Sequence, residues 1–381
     1  AQWLKLLPVS GFFALGSAPL ARPPWAGRMA LTAQAGRGAE PRDFPSASRM
    51  EDDEEGNGEP SMSHCACLTV GAVTGCGGLV VCPGAASLAD AADLLLHTDR
   101  TAALAVEGVG IALGLLTEND LLTAFVGGAP RECNVVAWLR DVRARLPWCM
   151  LPALTVEAGA TIKEAARQMR LQKGTDNAQH HLVVQDAGGN LHGVLSALDI
   201  VRVLWLAGLC ASTENAEGMV PEVWGLEKLE PPAHLVADLV GDLTVEAAMK
   251  PRAALPECPL EAPLSQAFAS MASARQNCVL IVGTEEGDGR PCRPVHSVIT
   301  PRDLVRVLAE GAPVTTTVES WLQGSQRGIE PRQIASSAGL VEAAAIMTTS
   351  SVHHLVVVEP VGRGVAGILS ALDVVSAIGR V

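Results

Sequence analysis

The chain has 381 residues, enough for two or three domains, and 48% hydrophobic residues can supply a sizeable buried core. Twenty-eight basic against 41 acidic residues give a net charge of −13, aromatics are 3% and tyrosine is absent. That balance excludes bulk attraction to nucleic acid or to an anionic membrane surface, and it leaves few rings on which bases could stack, so any anion site must be local.

In chain order, Leu6 to Leu20 is apolar but broken by Pro8, Gly11, Gly16 and Pro19, too short and interrupted to span a bilayer. Arg22, Arg28, Arg37, Arg42 and Arg49 follow among Ala, Pro, Gly and Ser, in the manner of an organelle transit segment. Residues 1–60 therefore read as either a targeting segment or plain disorder. The location is cytoplasmic, or a mitochondrion or plastid if the segment targets. Met29 and Met50 are alternative starts, and Glu51 to Glu59 is an acidic solvated linker. His64-Cys65-Ala66-Cys67, with Cys76 nearby, offers soft ligands without a second matching pair, so no metal site is assigned. The ten scattered cysteines indicate a reducing compartment. Gly75-Cys76-Gly77-Gly78 lacks the Lys-Ser/Thr of a phosphate loop and reads as a turn.

From there the chain repeats itself. Leu88, Ala91, Ala92 and Leu95 have the spacing of a helix that buries one stripe. The same spacing returns at Ile162, Ala165, Ala166, Met169; at Leu264, Ala267, Phe268, Met271; and at Leu340, Ala343, Ala344, Met347. An apolar strand follows each: Ala102–Val106, Leu182–Val184, Val279–Val282 and Leu355–Val358. After turn residues such as Gly188-Gly189-Asn190 or Gly362 to Gly364, a second strand ends in a [ST]-x-x-D step into another apolar helix. The steps are Thr117 to Asp120, Ser196 to Asp199, Thr300 to Asp303 and Ser370 to Asp373. The acids are 79, 104 and 70 residues apart, and the long gap contains Ser212 to His234, rich in Glu, Pro and Gly. The expected fold is α/β (α+β), four βαββα units in two tandem pairs. The first pair covers 61–211 (repeats about 68–128 and 133–209), the linker 212–234, and the second pair 235–381 (repeats about 236–311 and 314–381). Within each pair the repeats are expected to share a core, since one such unit buries too little surface alone.

These residues resemble the CBS domains, which occur as tandem pairs called Bateman modules, over roughly Leu68 to Ile378. GLLTENDLLTAFVGGAP is similar to the family's closing strand, acid step and helix, and VAWLRDV to its lead into the next repeat. VHHLVVVE (Val352 to Glu359) with GILSALDVV resembles the fourth repeat of the γ regulatory subunit of AMP-activated protein kinase.

Each [ST]-x-x-D step is first a capping box, with the hydroxyl accepting from the backbone and the acid favoured by the helix dipole. Pro301 suits the first helical position. The same helix N-terminus is also an anion site. A capping box prefers Glu or Gln where all four copies have Asp, so the carboxylate invites a second use. The resemblance implies that use: Asp120, Asp199, Asp303 and Asp373 as acceptors of ribose hydroxyls, with Thr117, Ser196, Thr300 and Ser370 facing phosphate. It implies a phosphate role for His180, His181, His353 and His354 as well, set against a packed strand start for each pair. The first and third repeats carry Thr101-Ala102 and Asn277-Cys278 there, without charge.

No nucleophile with an orienting partner stands out, so no enzyme activity, catalytic residue or cofactor is assigned. The resemblance implies a regulatory protein that senses AMP, ADP, ATP or a related adenosyl ligand and signals to a protein partner, a kinase catalytic subunit or a second copy of itself. Neither nucleic acid nor a membrane is an expected partner. The alternative is an architectural or assembly module whose four steps act only as caps.

Overall fold

The computed structural model describes residues 68–75, 79–108, 111–145, 155–172, 180–212, 229, 231, 234–283, 293–325, 331–359 and 364–380. The expectations for residues 1–60, the His64 to Cys67 cluster, Cys76 and most of the 212–234 linker lie outside these residues.

A short helix α1 (Val70–Gly75) precedes the first unit, β1 (Val81–Pro83), α2 (Leu88–His97), β2 (Ala102–Glu107), β3 (Ile111–Thr117) and α3 (Glu118–Val126). Then come α4 (Val135–Arg145) and the second unit: β4 (Thr155–Glu157), α5 (Ile162–Gln172), β5 (His181–Gln185), β6 (Leu191–Ser196) and α6 (Ala197–Ser212). After α7 (Leu235–Leu239), α8 (Val245–Ala248) and the two-residue β7 (Lys250–Pro251), the third unit is β8 (Glu257–Pro259), α9 (Leu264–Ser273), β9 (Val279–Val282), β10 (Val295–Ile299) and α10 (Pro301–Glu310). Helix α11 (Val318–Gly324) leads to the fourth: β11 (Gln333–Ala335), α12 (Leu340–Thr349), β12 (His354–Val358), β13 (Val365–Ser370) and α13 (Ala371–Ile378). Every unit is a βαββα repeat of mixed α/β structure. Its first strand runs parallel to the second across the helical crossover, and its second and third pair as an antiparallel hairpin.

The helix stripes are buried to within 1% exposure in all four copies, because Leu, Ile, Met and Phe one and two turns apart can leave water only together. Each large side chain so buried contributes about 1.5–3 kcal/mol. The core is distributed differently from the expectation of one core per pair. One large cluster joins the second and fourth repeats, with Ile162, Met169 and Ile200 against Leu340, Met347 and Val374. The other joins the first and third, with Leu88, Leu95 and Leu121 against Leu264, Phe268 and Leu304, and a T-shaped contact of Phe125 with Phe268 at 5.5 Å. Sequence neighbours meet instead through sheet faces, in smaller clusters: Leu104 and Val106 with Leu191, and Leu280 and Val282 with Val356 and Ile368. The reason is geometric. A three-stranded sheet has two faces, and the helices that cover one face still have an apolar outer side, which only the other pair can cover.

Segments are also exchanged within each pair. Helix α1, which precedes the first repeat, docks on the second: Val70 N–H donates to Ala160 O at 2.9 Å and Thr69 bridges Thr161. Likewise Thr244 bridges Gly339, and β7 extends the fourth repeat's sheet beside β13. Gly367 permits that close approach, since a Cβ there would run into the Lys250 carbonyl. The repeat limits read from the sequence therefore cross the packing units at their first turns.

Candidate functional site

All four [ST]-x-x-D steps end a strand and start a helix, and in all four the acid closes a capping box. In the second repeat Ser196 N–H and Oγ–H donate to Asp199 Oδ2 at 2.8 and 2.7 Å. Thr117 does the same to Asp120, Thr300 to Asp303 and Ser370 to Asp373. The shorter Asp is thus sufficient for the cap. Its second oxygen is what remains for other chemistry, and here the copies diverge. Asp303 is 0% and Asp373 1% exposed, and Arg306 Nη1 donates to Asp303 Oδ1 at 3.1 Å. Asp199 Oδ1 accepts from Arg202 Nη1 at 3.2 Å and lies 3.9 Å from Arg100 Nη1, yet Asp199 still lines a crevice.

That crevice lies between the first two repeats, bounded by Leu79, Val80, Arg100, Ala102, Asp199 and Arg202, and encloses about 450 Å³ of space open to solvent. Thr101, His181, Ser196 and Leu198 line it and are at the same time part of the wall of a second cavity, of about 510 Å³ when the space open to solvent is included. The second cavity is where all four repeats meet. The N-terminal turns of α3, α6, α10 and α13 supply Glu118, Ala197, Pro301 and Ala371, and His180, His181, His353 and His354 project beside them. Four helix starts therefore border one place, although the first N–H of α3, α6 and α13 already donates to Thr101 O, His180 O and His353 O, and Pro301 has none to offer.

The His pairs do not form separate stations in the second and fourth repeats. The second-repeat pair meets the uncharged positions of the first and third: Thr101 Oγ1 and His181 Nε2 share a hydrogen bond of 2.7 Å, and the Asn277 amide donates to His180 Nε2. Burial, then the neighbouring His180, pushes His181 down to about 3, while Asp199 opposes the shift. Burial likewise holds His353 well below the usual range, helped by His354, Arg302, Arg202 and His180. Both rings are therefore neutral at neutral pH. Thr117, Ser196 and Ser370 line the central cavity, whereas Asp120, Asp303, Asp373 and Thr300 do not.

Arginines complete the region, and sequence reading assigned them no role. Arg302 of the third repeat donates to Asp99 Oδ1 at 3.0 Å, Glu118 Oε1 at 3.1 Å, Arg100 O at 2.7 Å and Leu95 O at 3.2 Å, all in the first repeat. Arg202 reaches toward Asp99 at 3.9 Å. The Asp-x-x-Arg spacing of Asp199–Arg202 and Asp303–Arg306 is readable on a helix as an i, i+3 pair. Nothing in the sequence signals Arg302's partners some 200 positions away. Among the described residues no group of three or more His, Cys, Asp and Glu could hold a metal ion, and no helix is long and apolar enough to cross a membrane.

Four βαββα repeats around a shared cavity, with acid-capped helices facing it, define the class, and the CBS domain family matches at residues 142–206 and 330–380. The match covers those two segments, which hold the second and fourth repeats. No curated protein matches the sequence. Among solved structures, a Methanocaldococcus jannaschii protein described as a candidate archaeal homologue of γ-AMPK shares the overall fold, with a TM-score of 0.53 at 13% identity over 81% of this chain and 99% of that one. An uncharacterised conserved protein from Pyrococcus horikoshii matches with a TM-score of 0.43 at 15% identity, over 79% and 96%. A CBS domain protein from Pyrobaculum aerophilum, solved with AMP, matches with a TM-score of 0.29 at 18% identity, over 34% and 89%.

Proposed function

We propose that this chain is a non-catalytic regulatory protein that binds an adenosine nucleotide with its ribose on Asp199 and its phosphate in the central cavity, and passes occupancy to a partner. The wall that the two spaces share carries the reading. Thr101, His181, Ser196 and Leu198 line both, and one molecule reaching past them would have its ribose at the carboxylate in the crevice and its phosphate at the helix N-terminal turns beyond. Because the cavity draws residues from all four repeats, a ligand there acts on both tandem pairs at once, which is how binding energy can shift their arrangement. A kinase catalytic subunit is the partner proposed from the resemblance of VHHLVVVE and GILSALDVV.

Asp120, Asp303 and Asp373 are ribose acceptors only in so far as their second oxygen can be uncovered. The burial of Asp303 and Asp373 favours, at those two positions, the reading of the step as a cap alone. A thermal-shift panel with AMP, ADP, ATP, S-adenosylmethionine and NADH separates a sensor from an assembly module. A ligand at about 100 times its dissociation constant adds about 2.7 kcal/mol. Asp199→Asn keeps an oxygen for the cap but forfeits charge-assisted hydrogen bonds of roughly 1.5–3 kcal/mol, so it lowers affinity at least tenfold. A panel without any shift leaves the chain an architectural module.

A further inference from the structure

The charges around the central cavity are balanced, and one member of the balance reaches the cavity itself. Asp99, Glu118 and Asp199 face Arg100, Arg202 and Arg302, three carboxylates against three guanidinium groups, in contacts from 3.0 to 3.9 Å. Among the described residues that line the cavity there is no Lys or Arg, whereas Glu118 is present at the first turn of α3. The equivalent positions of the other three helices are Ala197, Pro301 and Ala371. Glu118 is 9% exposed, and Arg302 is fixed by it, by Asp99 and by two main-chain carbonyls, so the guanidinium is spent on the first repeat. A phosphate entering the cavity thus meets four helix N-terminal turns, four imidazoles and one carboxylate, and among the described lining residues no Lys or Arg.

We propose that Glu118 sets the charge selectivity of the site, admitting a nucleoside monophosphate and disfavouring polyphosphates. The inference rests on the nucleotide reading given above. Glu118 lines the cavity and its partner Arg302 does not, so the pair turns its negative end to a ligand; repulsion by that end grows with ligand charge, and ATP carries roughly twice the charge of AMP, while the attraction of helix dipoles falls away beyond the first turn. Each phosphate after the first therefore adds more repulsion than attraction. Burial pushes Glu118 up to about 7, with Arg302 opposing, so the carboxylate is ionised and the selection strongest at pH 8. Asp303 and Arg306 also act on Glu118, Asp303 raising it and Arg306 lowering it.

The test is calorimetry at pH 8 without magnesium, with AMP and ATP, on the full chain and on Glu118→Gln and Glu118→Asp. The wild-type chain binds AMP more tightly than ATP. Glu118→Gln, which keeps hydrogen-bonding atoms but leaves the network one positive charge in surplus, narrows the AMP-to-ATP ratio at least fivefold, and Glu118→Asp preserves it. A ratio narrowed less than fivefold in Glu118→Gln overturns the proposal. If Glu118→Gln does not fold, displacement of AMP from the wild type decides: inorganic phosphate competing at least as well as tripolyphosphate supports the proposal, and tripolyphosphate competing better overturns it. A wild-type chain that binds neither nucleotide defeats the nucleotide reading itself, a result distinct from AMP binding with an unaltered ratio.

Discussion

His181 serves the fold as a neutral ring. Its ring is 8% exposed and bonded to Thr101 of the neighbouring repeat, and its pKa is pushed down to about 3. The unfolded value is near 6.5, so the neutral ring contributes stability that is present above pH 6.5 and is lost as pH falls toward the folded value. Between pH 6.5 and 5 that loss is about 2 kcal/mol for one such ring, and His353 adds to it in the same direction. Urea denaturation at both pH values checks this: His181→Gln, which can still bond Thr101, shows a smaller acid loss than the wild type by about one proton's worth. An identical pH dependence in the variant would mean that the ring titrates normally. A bound phosphate favours the imidazolium, but with His181 held down to about 3 and His353 well below the usual range these two rings stay neutral from pH 8 to 6.5 and contribute no pH dependence to nucleotide affinity in that window. The residue types at this place were legible in the sequence, since two His pairs stood at matching points of two repeats. Their burial and partners were not legible, because Thr101 and Asn277 belong to other repeats and meet the rings only in the assembled molecule.

At the scale of elements, helices and strands follow directly from the apolar spacing, and the step from strand to capped helix falls at Thr117, Ser196, Thr300 and Ser370 as the [ST]-x-x-D pattern implies. The exchange of first segments does not follow. Helix α1 lies before the first repeat in sequence but packs on β6 of the second, and its short stretch VGAVTG carries no mark of which sheet it will cover. The receiving strands do carry a trace: Gly193 in β6 approaches Thr74 of α1, and Gly367 in β13 approaches Lys250 of β7. Gly367→Ala puts a methyl group against that backbone carbonyl, which must move, so it costs on the order of 1–3 kcal/mol, the usual range for an added methylene in packed structure. Chemical denaturation reads this directly. A cost below about 0.5 kcal/mol, the level of an indifferent surface change, would show that β7 is not held against β13 in solution.

The whole molecule is organised by surfaces that the tandem order hides. Sequence neighbours share small sheet-to-sheet clusters, whereas the two large cores run from the first repeat to the third and from the second to the fourth. Residues 235–381 produced alone therefore leave the outer sides of α10, α12 and α13 without their cover, and sedimentation should find them as dimers or larger species. A well-behaved monomer would show that each pair closes its own core. The same arrangement brings four helix N-terminal turns and four histidines to one cavity that shares Thr101, His181, Ser196 and Leu198 with the Asp199 crevice, and that shared wall is the centre of the functional account. A crystal structure of the chain with AMP tests it most directly. The account predicts ribose hydroxyls on Asp199 and the phosphate among His180, His181, His353 and the N-terminal turns of α6 and α13. AMP seated elsewhere, with its phosphate outside the central cavity, would contradict it.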